Sequence, residues 1–231
     1  MNTTRFNPFN QIHKGLRALL YDTALALQHT DFTNEETTRQ TFIKVEKTLS
    51  MFDGHAEVED SIVFPKLNAV SPDIIEALEQ EHVTDHQLGK ALRKKMLEYC
   101  QANEATVISN AGRSVFIAFN EFIAFNLSHM NKEETIVNEA LWANYSDDEL
   151  KGMVAAIAKE LSPEKNREHS RWMLKGNGDH EISVWLTAVQ STAPHFVFQD
   201  LCELAAETLP EGRWNNIQHT ISTSAGQLQE V

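Results

Sequence analysis

No alternation of apolar and polar residues lasts long enough along this chain to mark a strand, and the sparse Pro and Gly, 6 and 9 among 231 residues, leave long stretches for helix. Helices are predicted over about residues 10–30, 34–70, 72–103 and on to 144, the second capped by Thr33 or Asn34. Ser71-Pro72 opens the third by a cap followed by proline. Ser146-Asp-Asp-Glu149 is a capping box that opens a fifth helix. Beyond it come Ser162-Pro163, a break at Lys175-Gly-Asn-Gly178, and helical stretches near 182–190 and 194–209. Phe116, Phe119, Phe122 and Phe125 step by three, a core-facing stripe that is also compatible with a dry pocket.

Within this helical pattern lies an internal repeat. His55-Ala-Glu-Val-Glu59-Asp-Ser-Ile62-Val63-Phe-Pro-Lys-Leu67 aligns with His129-Met-Asn-Lys-Glu133-Glu-Thr-Ile136-Val137-Asn-Glu-Ala-Leu141 at an offset of 74 residues. More loosely, His13-Lys-Gly-Leu-Arg-Ala18-Leu19 aligns with His86-Gln-Leu-Gly-Lys-Ala91-Leu92 at an offset of 73. Two helical hairpins related by a pseudo-two-fold axis are expected.

The repeat carries the candidate chemistry. His55/Glu59, His82/His86 and His129/Glu133 are spaced i, i+4, which puts each pair on one helix face. With His13 they make five imidazoles and two carboxylates, a set that suits iron and exceeds the needs of one ion. In an up-down-up-down bundle all seven reach a common level within a turn or two. The repeat is broken at Phe9, which stands roughly where a counterpart of His82 belongs. One metal then takes His82, His86 and His129, while the other takes His13 and His55 and keeps an open position. Glu59 and Glu133 are left to bridge. Glu81, Asp85 and Glu134 are candidate partners for a His N–H, whereas Glu57 and Asp60 read as solvated. His29, His169, His180, His195 and His219 have no ligand partner at helical spacing.

Composition narrows the class. The net charge of -13 argues against nucleic acid and against anionic membrane surfaces. No apolar run approaches the roughly 18 residues of a membrane span. The N-terminal residues lack an apolar signal core, so a cytoplasmic location is expected. Cys100 and Cys202 are too few and too isolated for a disulfide framework and are expected reduced and buried.

Taken together, His13, His55-x-x-x-Glu59, Glu81-His82-x-x-x-His86 and His129-x-x-x-Glu133-Glu134 resemble the hemerythrin-like, or HHE cation-binding, family over about residues 9–145. The resemblance implies an all-α, up-down-up-down four-helix bundle holding an oxo- or hydroxo-bridged pair of iron ions, with zinc or manganese as possible substitutes. It also implies reversible binding of dioxygen, or sensing of oxygen, nitric oxide or redox state. Animal oxygen carriers space the last motif more widely, and the His129/Glu133 form is similar to bacterial relatives. The expected organisation is a metal-binding bundle over 1–145 and a helical extension over 146–231. With Trp172, Trp185, Phe196, Phe198 and Trp214, that extension is expected to pack on the bundle or to form a homodimer interface.

Five neutral imidazoles and two carboxylates leave a diferrous pair with a charge near +2, which favours the reduced state more than a carboxylate-rich site does. Binding of a small diatomic or anion at the open position, without turnover, is the leading reading. A di-iron enzyme on the same centre, such as a peroxidase, nitric-oxide reductase or iron-sulfur repair factor, is the second. Metal storage or a structural metal site is the third.

Overall fold

A computed structural model describes residues 5–68 and 70–228, the last five by backbone alone. Among the described residues the chain is all helix, with no strand. Helix α1 spans Asn10–His29 and α2 spans Glu35–Val58, followed by a π-helical turn at Glu59–Val63 and the short α3 at Phe64–Asn68. Helix α4 spans Pro72–Cys100 and α5 spans Ala105–Lys132, followed by a second π-helical turn at Glu133–Val137 and α6 at Asn138–Asn144. Helices α7 to α11 occupy Asp147–Glu160, Pro163–Gly176, Asp179–Thr192, His195–Thr208 and Glu211–Leu228.

Local chemistry accounts for most boundaries. Asn34 caps α2 by accepting from the Thr37 N–H, and Glu35 and Glu36 meet the positive end of the helix dipole. Pro72 starts α4, but the Ser71 side chain makes no cap hydrogen bond. Ser146 and Glu149 form the reciprocal box at the start of α7. Helix α11 was not anticipated, although Trp214, Ile217 and Ile221 sit at helical spacing and are buried. Cys100 is exposed at the end of α4 rather than buried, and neither cysteine is bonded.

The chain divides into two compact units. One runs up to Phe9 and over Leu19–Ile157, and the other holds Asn10–Ala18 and the chain from Ala158 onward. In the first unit α4 packs along α5 and α2. Hydroxyl pairs Thr23–Thr48 at 2.9 Å and Thr30–Thr41 at 2.8 Å tie α1 to α2. Its apolar core includes Phe9, Val63, Phe64, Leu67, Val137, Leu141, Leu150 and Met153. Val63/Val137 and Leu67/Leu141 are repeat partners, so the two halves contribute matching side chains to one core. Arg5 anchors the N-terminal residues, its guanidinium donating to Asp147 Oδ1 at 2.6 Å and to the Tyr145 carbonyl at 2.6 Å.

The second unit has its own core, with Leu174, Ile182, Leu186, Leu204, Trp214 and Ile217. Trp172 and Trp214 are buried, whereas Phe196 remains 70% exposed. Within this unit Glu181 pairs with Lys14 and accepts from the Asn10 amide and the Gly178 N–H, each at 2.9 Å. Burial raises its pKa, but Lys14, Asn10 and the Gly178 N–H more than offset this and lower it to about 2. A depressed carboxylate stabilises the fold above its unfolded value, and that contribution is lost as pH falls through the folded value. Glu181→Gln is therefore expected to cost about 1 kcal/mol at pH 7, after discounting for solvent screening. The deficit should shrink between the ordinary glutamate range and pH 2. A pH-independent difference in urea unfolding would contradict this assignment.

Candidate metal centre

The two π-helical turns occupy equivalent positions of the repeat, and each starts on a motif glutamate. The Glu59 carbonyl accepts from the Phe64 N–H and the Glu133 carbonyl from the Asn138 N–H, five residues on in both cases. Such turns are rare and recur at functional sites, because the widened helix re-aims its side chains. Here the first turn lets two consecutive residues reach one imidazole. Glu59 Oε2 lies 3.5 Å from His82 Nε2, and Asp60 Oδ1 lies 2.7 Å from His82 Nδ1.

Around these turns the first unit gathers a compact donor set. One ligand-type atom from each of Glu59, His82, His129 and Glu133 lies within 4.8 Å of the others, and all four residues are buried. Glu59 divides its oxygens. Oε1 lies 3.1 Å from His55 Nε2, while Oε2 faces His82. Glu133 Oε1 lies 3.2 Å from His129 Nε2. His82 and His129 meet through their Nε2 atoms at 3.1 Å. Aromatic rings flank both imidazoles. Phe64 stacks on His82 with centroids 5.0 Å apart, and Phe125 stacks on His129 at 6.0 Å.

Three histidines have their outer nitrogen held by a carboxylate. His82 Nδ1 is on Asp60, His129 Nδ1 is on Glu81 at 2.8 Å, and His86 Nδ1 is on Asp53 at 2.9 Å. A carboxylate only accepts, so each Nδ1 carries the hydrogen and Nε2 keeps its lone pair when the ring is neutral. In the cluster those lone pairs face carboxylate oxygens and one another. Positive charge has to sit among them. Without a metal ion a proton supplies it. Burial lowers the His129 pKa, but Glu133, then Glu81 and Glu59, outweigh this and raise it to about 9. The His82 pKa is also raised, with Glu59 and Asp60 overcoming burial.

The structure thus brings together His55, Glu59, His82, His129 and Glu133. His86 stands outside the compact set, with its side chain 39% exposed and its Nδ1 on Asp53. His13 is fully buried in the first turns of α1. Of the candidate partners for a His N–H, Glu81 serves that role, while Asp85 instead accepts from the buried Asn126 amide at 2.6 Å. Asp60 is exposed as expected but holds His82, and Asp53 was missed altogether. The only available signal for Asp53 is its place two residues before His55, which does not reveal a contact with α4. His29, His169, His180, His195 and His219 join no such cluster among the described residues.

Imidazole nitrogens and buried carboxylates suit a divalent first-row transition ion, and the mutual repulsion of these donors calls for one. The donor set therefore fits a metal. Among the described residues no helix is long and apolar enough to cross a membrane. A family model described as the hemerythrin HHE cation binding domain matches residues 6–141. No curated protein and no solved structure matches the chain.

Proposed function

The chain belongs to the hemerythrin HHE cation-binding family, and from that premise we propose that it is a non-haem di-iron protein that binds dioxygen reversibly or senses oxygen, nitric oxide or redox state. The single observation that carries the dinuclear reading is Glu59, whose two oxygens face His55 on one side and His82 on the other. A carboxylate so placed would be able to serve two ions. In this proposal α1, α2, α4 and α5 form a four-helix bundle. His13 and His55 would hold one ion, His82, His86 and His129 would hold the other, and Glu59 and Glu133 would be shared by both. The complete burial of the His13 imidazole supports its place in this set. His86 has only Nε2 left to offer, since Asp53 takes Nδ1.

When bound, a pair of iron ions supplies reversible redox chemistry toward small diatomic ligands. The protein's own part is to hold the donors and to keep water out. Asp60 and Glu81 fix the tautomers of His82 and His129, leaving both Nε2 atoms free to donate. Phe9, Val63, Phe64 and Val137 form the apolar packing around both π-helical turns, which limits water access and so slows irreversible oxidation.

Metal analysis of anaerobically purified protein, followed by an absorption spectrum in oxygen, tests the reading. Two ions per chain and a stable oxygenated band are expected. A single tight ion at full occupancy would overturn the dinuclear assignment, and rapid bleaching to a diferric product would indicate turnover instead of binding.

A further inference from the structure

The three rings proposed for the second ion differ in what stands behind them. Glu81 holds His129 Nδ1 with one oxygen, and its other oxygen takes the Lys132 ammonium. Asp53 holds His86 Nδ1 with one oxygen, and its other oxygen takes Arg93 Nη2 at 2.9 Å. Arg93 is fixed in turn by Glu46, to which its Nε donates at 2.9 Å. Asp60 holds His82 Nδ1, and among the described residues no Lys or Arg pairs with it. One relay therefore ends in a cation, the second passes through a cation to a further carboxylate, and the third ends in a carboxylate with no Lys or Arg behind it.

A carboxylate shared with an ammonium or guanidinium is a weaker acceptor than one left to an imidazole alone. The weaker acceptor polarises the imidazole N–H less, and the far nitrogen donates less electron density to a metal. At His129 screening does not erase this difference, because the Glu81 side chain is only 21% exposed and the ring it holds only 5%. We infer that Lys132 and Arg93 are positioning residues that act through Glu81 and Asp53 to weaken donation from His129 and His86, leaving His82 the strongest nitrogen donor of these three rings. The inference rests on the metal reading above. It assigns roles to two surface cations that ligand spacing alone does not reveal.

Zinc and cobalt(II) binding to the full chain tests it without recourse to oxygen chemistry. Lys132→Met is expected to tighten zinc binding by about threefold to tenfold, since it acts one step beyond the carboxylate whose own loss typically costs roughly 10- to 100-fold. Glu81→Gln should weaken zinc binding within that larger range, and Lys132→Arg should restore wild-type affinity. In the zinc-loaded protein the His129 Nδ1–H proton resonance should move downfield in Lys132→Met, and the His86 resonance in Arg93→Met, while His82 stays in place. The exposed Lys94, which pairs with Glu98, is the control for bulk charge, and Lys94→Met should change nothing. Unchanged affinity and an unmoved His129 signal in Lys132→Met would overturn the relays with the metal reading intact. Equal tightening in Lys94→Met, or all three ring signals moving together, would replace them with a general field effect. Failure of the wild-type chain to take up either metal would overturn both.

Discussion

Glu59→Ala is expected to weaken both proposed metal ions, whereas His55→Ala should weaken mainly one. The reason is the division of the Glu59 oxygens between His55 and His82 inside a site where the carboxylate is buried. Removing one member of a buried charged pair costs about 2–5 kcal/mol, or roughly 30- to several-thousand-fold in affinity. A bridge imposes that loss on both ions, and a terminal imidazole imposes it on its own. Titration with cobalt(II), followed by absorption and by metal analysis after gel filtration, separates the two patterns. Two ions bound at wild-type affinity in Glu59→Ala would remove Glu59 from the bridge.

The largest effect on stability is expected at Gly176. A Cβ added there would lie 2.2 Å from the Lys14 carbonyl oxygen and 2.5 Å from its carbon. Both atoms are backbone, so no side-chain rotation relieves the overlap. Gly15 makes the reciprocal approach, its Cβ position lying 2.9 Å from the Met173 nitrogen. In the second unit the start of α1 and the end of α8 thus touch through two glycines. Gly176→Ala is expected to cost about 3 kcal/mol or more, at the upper end for overpacking, and to lower Tm by roughly 5–10 °C. Gly152 in α7 provides the contrast, with nothing within 4 Å of its Cβ position. Gly152→Ala should stabilise by up to about 1 kcal/mol through helix propensity alone. Thermal unfolding of the two variants checks the pair, and a Gly176→Ala protein that melts like wild type would refute the close approach.

The site was legible to the extent that its residues repeat. His55-x-x-x-Glu59 and His129-x-x-x-Glu133 share one offset and one helical spacing, and both pairs meet in space at 3.1 and 3.2 Å between imidazole nitrogen and carboxylate oxygen. Glu81 was legible as a partner because it adjoins His82, yet the ring it holds is His129, on another helix. Asp53 was not legible, since its contact with His86 depends on how α2 packs against α4. Asp60 read as solvated because a regular helix would turn it away from the Glu59 face. The π-helical turn changes that geometry, and no residue type marks such a turn in advance.

Local interactions determined the helices, their caps and the pairing of His with Glu, because hydrogen bonds and dipoles within a few residues suffice for them. So the sequence by itself determined an all-helical chain with a duplicated His/Glu motif. The tertiary structure alone decided that Leu150 and Met153 of α7 join the core of the first unit, while Asn10–Ala18 of α1 joins the second. It also decided which carboxylate stands behind which imidazole and where a cation stands behind the carboxylate. Those outcomes depend on burial against helices distant in sequence, and hydrophobic packing is non-directional until the partners meet.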